Sequence, residues 1–124
     1  MDSMEITEMF REIKKYHKAL GYDHDFKTCI ERMKEMRDHA LALNQEVAEL
    51  VNCFPWKPWR DVKKQPWETE HAIEEIVDIF FFLGAICEIA YIFPESLETA
   101  FKKKLQENYK RIEEKYNNTP DERR

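Results

Sequence analysis

Glycine is almost missing from this chain, with only Gly21 and Gly84 in 124 residues. So small a supply, beside an abundance of Glu, Lys, Leu, Ile, Ala and Met, argues for helices. A surplus of positive charge is also lacking. The formal net charge of −5 does not suggest binding of a nucleic-acid polymer over the whole surface. Basic residues cluster only locally, at Lys57 to Lys64 and Lys102 to Arg111, which suits a small anionic ligand. The longest uncharged apolar run, Ile79 to Cys87, is about half of what a membrane span needs. The N-terminal stretch is acidic and has no apolar signal core. Cys29, Cys53 and Cys87 are scattered, odd in number and without metal-type spacing, so they read as reduced core or near-core thiols. These absences point to the cytoplasm, with no membrane partner. No internal repeat and no low-complexity segment stands out. The length fits one domain, read as 1–117, followed by a polar tail at 118–124.

What is present is helical periodicity. Ser3 or Thr7 is the expected cap of a first helix running to Leu20, with Met9, Ile13, Tyr16 and Leu20 on one face. Gly21-Tyr-Asp-His-Asp reads as a stop and turn. A long second helix is expected from Phe26 to Phe54, with Asp25 as its cap and Pro55 ending it. Pro55, Pro58 and Pro66 forbid regular helix in the next segment. A third helix is expected from Pro66 or Trp67 to Ile92, apolar nearly all round. Phe93-Pro94 breaks it, and a fourth, amphipathic helix follows through Leu97, Phe101, Leu105 and Ile112. Four helices with short connections make the expected fold all-α, an antiparallel four-helix bundle. The apolar girth of the third helix predicts a second subunit against one of its faces.

Two acidic pairs interrupt this apolar pattern at i, i+3 spacing: Glu46 with Glu49, and Glu75 with Asp78. That spacing puts two side chains on neighbouring turns of one helix face. Ionised carboxylates in apolar surroundings cost several kcal/mol each unless compensated. Oxygen ligands in this number suit a hard cation, and magnesium above all, because it shares its sphere with water and phosphate. Acidic pairs of this kind are also common on solvated helix faces, so surface charge is the competing explanation.

The order of motifs is more specific. Gln45-Glu-Val-Ala-Glu-Leu, a loop, then Glu74-Glu-Ile-Val-Asp resembles the ExxE…ExxD signature of the all-α nucleoside triphosphate pyrophosphatases. That superfamily holds the MazG proteins, the dCTP pyrophosphatases and the dimeric dUTPases. Glu49-Leu-Val-Asn-Cys-Phe-Pro-Trp-Lys-Pro-Trp-Arg looks like the dimeric-dUTPase pattern, with Pro58 where a second tryptophan often stands. Ala100-Phe-Lys-Lys-Lys-Leu-Gln-Glu-Asn-Tyr-Lys-Arg is similar to a third family motif, with Phe101 and Leu105 in place of its tyrosine and first asparagine. The likeness covers roughly residues 40 to 117, and residues 1 to 39 show no clear match to the glutamine-bearing first helix expected to read uracil. The resemblance implies metal ligands at Glu46, Glu49, Glu75 and Asp78. It implies phosphate contacts from Lys104, Asn108 and Arg111, whose spacing also puts them on one helical face. It further implies Mg2+, with Mn2+ as a substitute, and a homodimer or homotetramer.

The expected reaction is magnesium-dependent hydrolysis of a nucleoside triphosphate between its α- and β-phosphates, with Glu46 or Glu49 orienting or deprotonating the water. Trp56, Lys57 and Trp59 are the candidate substrate contacts of the loop, Trp56 first, since an aromatic ring stacks on a base and a lysine meets a phosphate. Uracil ranks first among bases, then cytosine, then loose specificity. Asn52 is a weaker candidate, with Asn44 and His39 weaker still, and Glu74 is an outer-sphere acid, an additional water-orienting base or a surface residue. His17, His24, His39 and His71 share no spacing and read as solvent-facing. Phe80 to Phe82 reads as core or subunit interface. The rival from another class is a non-catalytic helical interaction module.

Overall fold

The computed structural model describes residues 3–22, 25–26 and 28–117. Among them there is no strand. The chain forms α1 (Ile6–Ala19), α2 (Cys29–Asn52), a single 3-10 turn at Val62–Lys64, α3 (Thr69–Ala90) and α4 (Pro94–Asn117). The tail expected at 118–124 lies outside the described residues, as does His24.

Helix ends follow backbone chemistry more closely than the apolar pattern. α1 starts after Glu5, whose side chain makes no cap bond. Thr7, expected as a cap, is instead buried inside the first turn. Gly21, at φ 86°, ends α1 in a paired motif: Gly21 N–H donates to Lys18 O at 3.0 Å and Tyr22 N–H to His17 O at 2.9 Å. Thr28, not Asp25, caps α2 by accepting from Glu31 N–H at 3.1 Å. α3 ends on Tyr91, a left-handed residue (φ 58°) where glycine is the usual choice. Arg32 compensates: its Nε donates to Ile89 O at 2.7 Å, and its guanidinium sits 4.0 Å from the centre of the Tyr91 ring. Pro94 then opens α4, where its missing N–H costs nothing.

α3 is the central element, with α2 along one side and α1 across another. The α1 crossing depends on Gly84. A Cβ placed there would lie 2.7 Å from Ile13 Cγ2, closer than carbon atoms approach, and Ile13 is itself buried. We expect Gly84→Ala to destabilise the fold by about 1–3 kcal/mol, the usual cost of overpacking. Urea unfolding measures this, and Ile13→Ala should recover part of the loss in the double variant.

The four expected helices form an all-α fold, but among the described residues α4 does not lie back along α3. α4 leaves α3 at 108° and meets the first helix near its own start, where Arg11 pairs with Glu95. From Phe101 to Asn117 every residue of α4 is exposed, including the expected apolar stripe of Phe101, Leu105 and Ile112. The short Phe93-Pro94 joint predicted an antiparallel return. Left-handed Tyr91 followed by Pro94 sends the chain outward instead. Among the described residues no single helix is long and apolar enough to cross a membrane. Cys53 is buried and Cys87 half-buried, but Cys29 is exposed at the start of α2, so the near-core expectation fails there.

Candidate active site

α2 and α3 run side by side, so their acidic positions meet. Carboxylate oxygens of Glu46, Glu75 and Asp78 all lie within 4.8 Å of one another. Glu75 is buried, Glu46 half-buried, and Asp78 exposed at the rim. Two oxygens, Glu46 Oε2 and Glu75 Oε2, are buried without a hydrogen-bond partner. Such groups need a proton or a cation. Hydrogen bonding toward the neighbouring Glu75 carboxyl, then burial and the charges of Glu49, Glu75 and Asp78, push the Glu46 pKa up to about 7, so this carboxyl favours its protonated form. Glu49 stands outside the 4.8 Å group but near enough for its charge to act on Glu46. The donor set is all oxygen, anionic and partly buried, which fits magnesium.

One neighbour of this cluster has no counterpart among the sequence-derived candidates. His71 places Nε2 3.3 Å from Glu75 Oε1, with Nδ1 3.8 Å from Glu74 Oε2. Its ring is half in solvent, as expected, yet it braces a carboxylate of the cluster. The i, i+4 spacing of His71 and Glu75 on one helix was the available signal. The solvent-facing reading fails for His17 and His39. His17 Nδ1 lies 2.7 Å from Glu88 Oε2 with both side chains largely buried, a pairing 71 residues apart that no local pattern announces. His39 Nδ1 lies 2.8 Å from Glu35 O, so that nitrogen carries the proton.

Two cavities lie beside these helices, one of them lined by a carboxylate of the cluster. On the Asp78 side, a space of about 470 Å³ is walled by Tyr16, His17, His39, Phe81 and Phe82, with Asp78 itself on its lining. On the Glu49 side, another of about 470 Å³ lies under the proline-rich loop and includes Asn52, Trp56 and Lys57. Trp56 donates from Nε1 to Asn52 Oδ1 at 2.9 Å and meets Trp59 edge to face at 5.4 Å. Trp59 does not line that cavity and is 67% exposed. Cys53 sits beneath this end: burial, then the carboxylates of Glu68, Glu75 and Glu49, push its thiol above the ordinary value.

Lys104, Asn108 and Arg111 do share one exposed face of α4, with Arg111 Nη1 3.5 Å from Asn108 Oδ1. Among the described residues no hydrogen bond or ion pair joins them to the carboxylates. Among the described residues, one chain therefore brings together three of the four carboxylates, and separately gathers Trp56 and Lys57 around the loop cavity, without joining the α4 cations to either.

A search of curated proteins and a search of solved structures each gave no match. A family profile described as dUTPase matches residues 5–91, a span that holds both acidic motifs and the tryptophan loop and stops before α4. With well over half of its length matched over an all-helical fold, the chain belongs to the dUTPase family, a MazG-like all-α family of nucleotide pyrophosphatases.

Proposed function

We propose that this protein hydrolyses dUTP to dUMP and pyrophosphate, using magnesium held by Glu46, Glu75 and Asp78 with Glu49 beside them. The observation that carries the reading is the pair of buried, unpartnered oxygens in a three-carboxylate cluster, within a chain of the dUTPase family. Magnesium, when bound, neutralises those carboxylates and polarises phosphate oxygens. The protein's own groups do the rest. Glu49, or Glu46 once deprotonated, orients the attacking water and takes its proton. Water oxygen bonds to the α-phosphorus, the bond from that phosphorus to the bridging oxygen breaks, and the bridging oxygen leaves on pyrophosphate.

The nucleoside end fits the Asp78 side, where aromatic walls adjoin a cluster carboxylate. This reading assigns the base to that side and leaves Trp56, held by its indole N–H on Asn52, as a wall of the loop cavity. Lys104, Asn108 and Arg111 would reach the phosphates only from the α4 of another copy, in a homodimer or homotetramer. The bare apolar stripe of α4 and the exposed Ile73, Ile76 and Val77 of α3 support such an assembly.

The test is a panel of canonical and modified nucleoside triphosphates with magnesium, scored separately for pyrophosphate and for inorganic phosphate. We expect pyrophosphate, with dUTP turned over fastest. Faster cleavage of dCTP, or equal cleavage of all, would move the assignment to a dCTP or broad-specificity pyrophosphatase. Release of inorganic phosphate alone would defeat the α,β-cleavage reading. No cleavage and no thermal shift with magnesium would leave a non-catalytic helical interaction module.

A further inference from the structure

The loop between α2 and α3 carries more built structure than its proline content suggests. Gln65 reaches back across it and makes three hydrogen bonds. Its Oε1 accepts from Lys57 N–H at 3.0 Å, and its Nε2 donates to Lys57 O at 2.7 Å and to Arg60 O at 3.2 Å. A single amide thus ties down both backbone polar groups of Lys57 and closes the turn that ends at Arg60. Asn52 secures the near side through the Trp56 indole. The cavity enclosed between these braces is lined by Lys57, Arg60 and Lys64.

Charge within it is one-sided. Asp61 is, among the described residues, the one carboxylate on the lining, and its Oδ1 is occupied in capping the 3-10 turn by accepting from Lys63 N–H at 3.0 Å. Among the described residues no carboxylate forms an ion pair with Lys57, Arg60 or Lys64. Three cations without a carboxylate partner line this one cavity in a chain with five more acidic than basic residues, Lys57 lying 5.9 Å from the centre of the Trp56 ring, and their mutual repulsion falls when an anion enters. The position adds meaning to the sign. Asn52, on the lining, lies one helical turn beyond Glu49 on α2, so the cavity opens at the end of the helix that carries the first acidic pair. A row of carboxylates followed by a basket of cations is complementary to a metal-bound phosphate with further phosphates trailing from it.

We propose that this cavity is the pyrophosphate subsite: Lys57, Arg60 and Lys64 hold the β- and γ-phosphates of the substrate and the pyrophosphate that leaves, and Gln65 is the residue that positions them. The assignment rests on reading the carboxylate cluster as the pyrophosphatase site, but it names residues that the acidic motifs do not include. It also supplies leaving-group cations from the same chain as the carboxylates.

The experiment titrates the full-length protein with inorganic pyrophosphate and magnesium, following tryptophan emission and calorimetric heat. All three tryptophans lie in this loop or just after it, and Trp56 borders the cavity, so the emission reports on this site. The wild-type emission should change and saturate. The double variant Arg60→Ala, Lys64→Ala should weaken pyrophosphate about tenfold or more, as for loss of charge-assisted bonds, while dUMP affinity stays within about twofold. Gln65→Ala should move in the same direction by a smaller factor without altering dUMP binding, a split that a merely structural role would not give. The proposal is overturned if wild-type protein does not bind pyrophosphate, if the loop variants lose pyrophosphate and dUMP equally, or if Lys104→Ala, Arg111→Ala is the variant that loses pyrophosphate while the loop variants keep it. Pyrophosphate binding with this pattern in a protein that fails to cleave any nucleotide would sustain the subsite and defeat the dUTPase reading alone.

Discussion

Asp78→Asn should lower kcat/KM for dUTP by on the order of 10²–10³ or more, the scale seen when one electrostatic stabiliser of a transition state is removed. The same variant should abolish the rise in melting temperature that magnesium gives the wild-type protein through linkage. The geometry makes this a clean substitution. Asp78 is exposed at the rim of the cluster, so an amide of the same shape leaves no buried group stranded and helical content should not change. Glu49→Gln provides the contrast. Its carboxylate is outside the 4.8 Å group, so we expect it to lose turnover while keeping much of the magnesium-induced shift. Full turnover in Asp78→Asn would show that the cluster is not the metal site. An unchanged magnesium shift in Asp78→Asn, with the shift lost in Glu49→Gln, would exchange the roles assigned to the two residues.

The sequence carried some parts of this site and not others, for physical reasons. Glu46, Glu75 and Asp78 were legible because helix periodicity is local: two acidic pairs on apolar helices must meet if the helices pack side by side. The helix class was equally legible from scarce glycine and regular apolar spacing. The course of α4 was not. It depends on the backbone angles of Tyr91, a residue type that seldom adopts the left-handed region and does so here under the Arg32 side chain from α2. No spacing rule links positions 32 and 91. His17 with Glu88 was hidden for the same reason, since their contact exists only because α1 crosses α3 at Gly84. Gln65 illustrates a third case. Its three bonds are made to backbone groups, which every residue possesses, so nothing in the side-chain sequence of Lys57 or Arg60 points to it.

Without metal, the protein should lose stability as pH rises from about 5 to about 8, and magnesium should remove most of that loss. The sign follows from Glu46. Its folded-state pKa is raised from the ordinary 4.5 to about 7, first by the carboxyl–carboxyl hydrogen bond to Glu75. The folded state therefore holds this proton more tightly than the unfolded chain. The stabilisation is fully present below the unfolded value and is lost as pH passes through the folded one. Above that, the ionised Glu46 carboxylate lies against Glu75 with one oxygen of each buried and unpartnered, which is the arrangement a divalent cation relieves. Cation binding must then expel the shared proton, so apparent magnesium affinity should rise across the same pH window. Glu75→Gln separates this account from a general acid effect. The amide can donate to the Glu46 carboxylate, so the metal-free variant should melt several degrees above wild type at pH 8 and show a flatter pH profile. It should also be inactive and insensitive to magnesium, because stability has been gained at the expense of the site. Thermal melts at pH 5, 6, 7 and 8, with chelator or with magnesium, decide the matter: an unchanged pH profile in Glu75→Gln would rule out the shared proton as the cause.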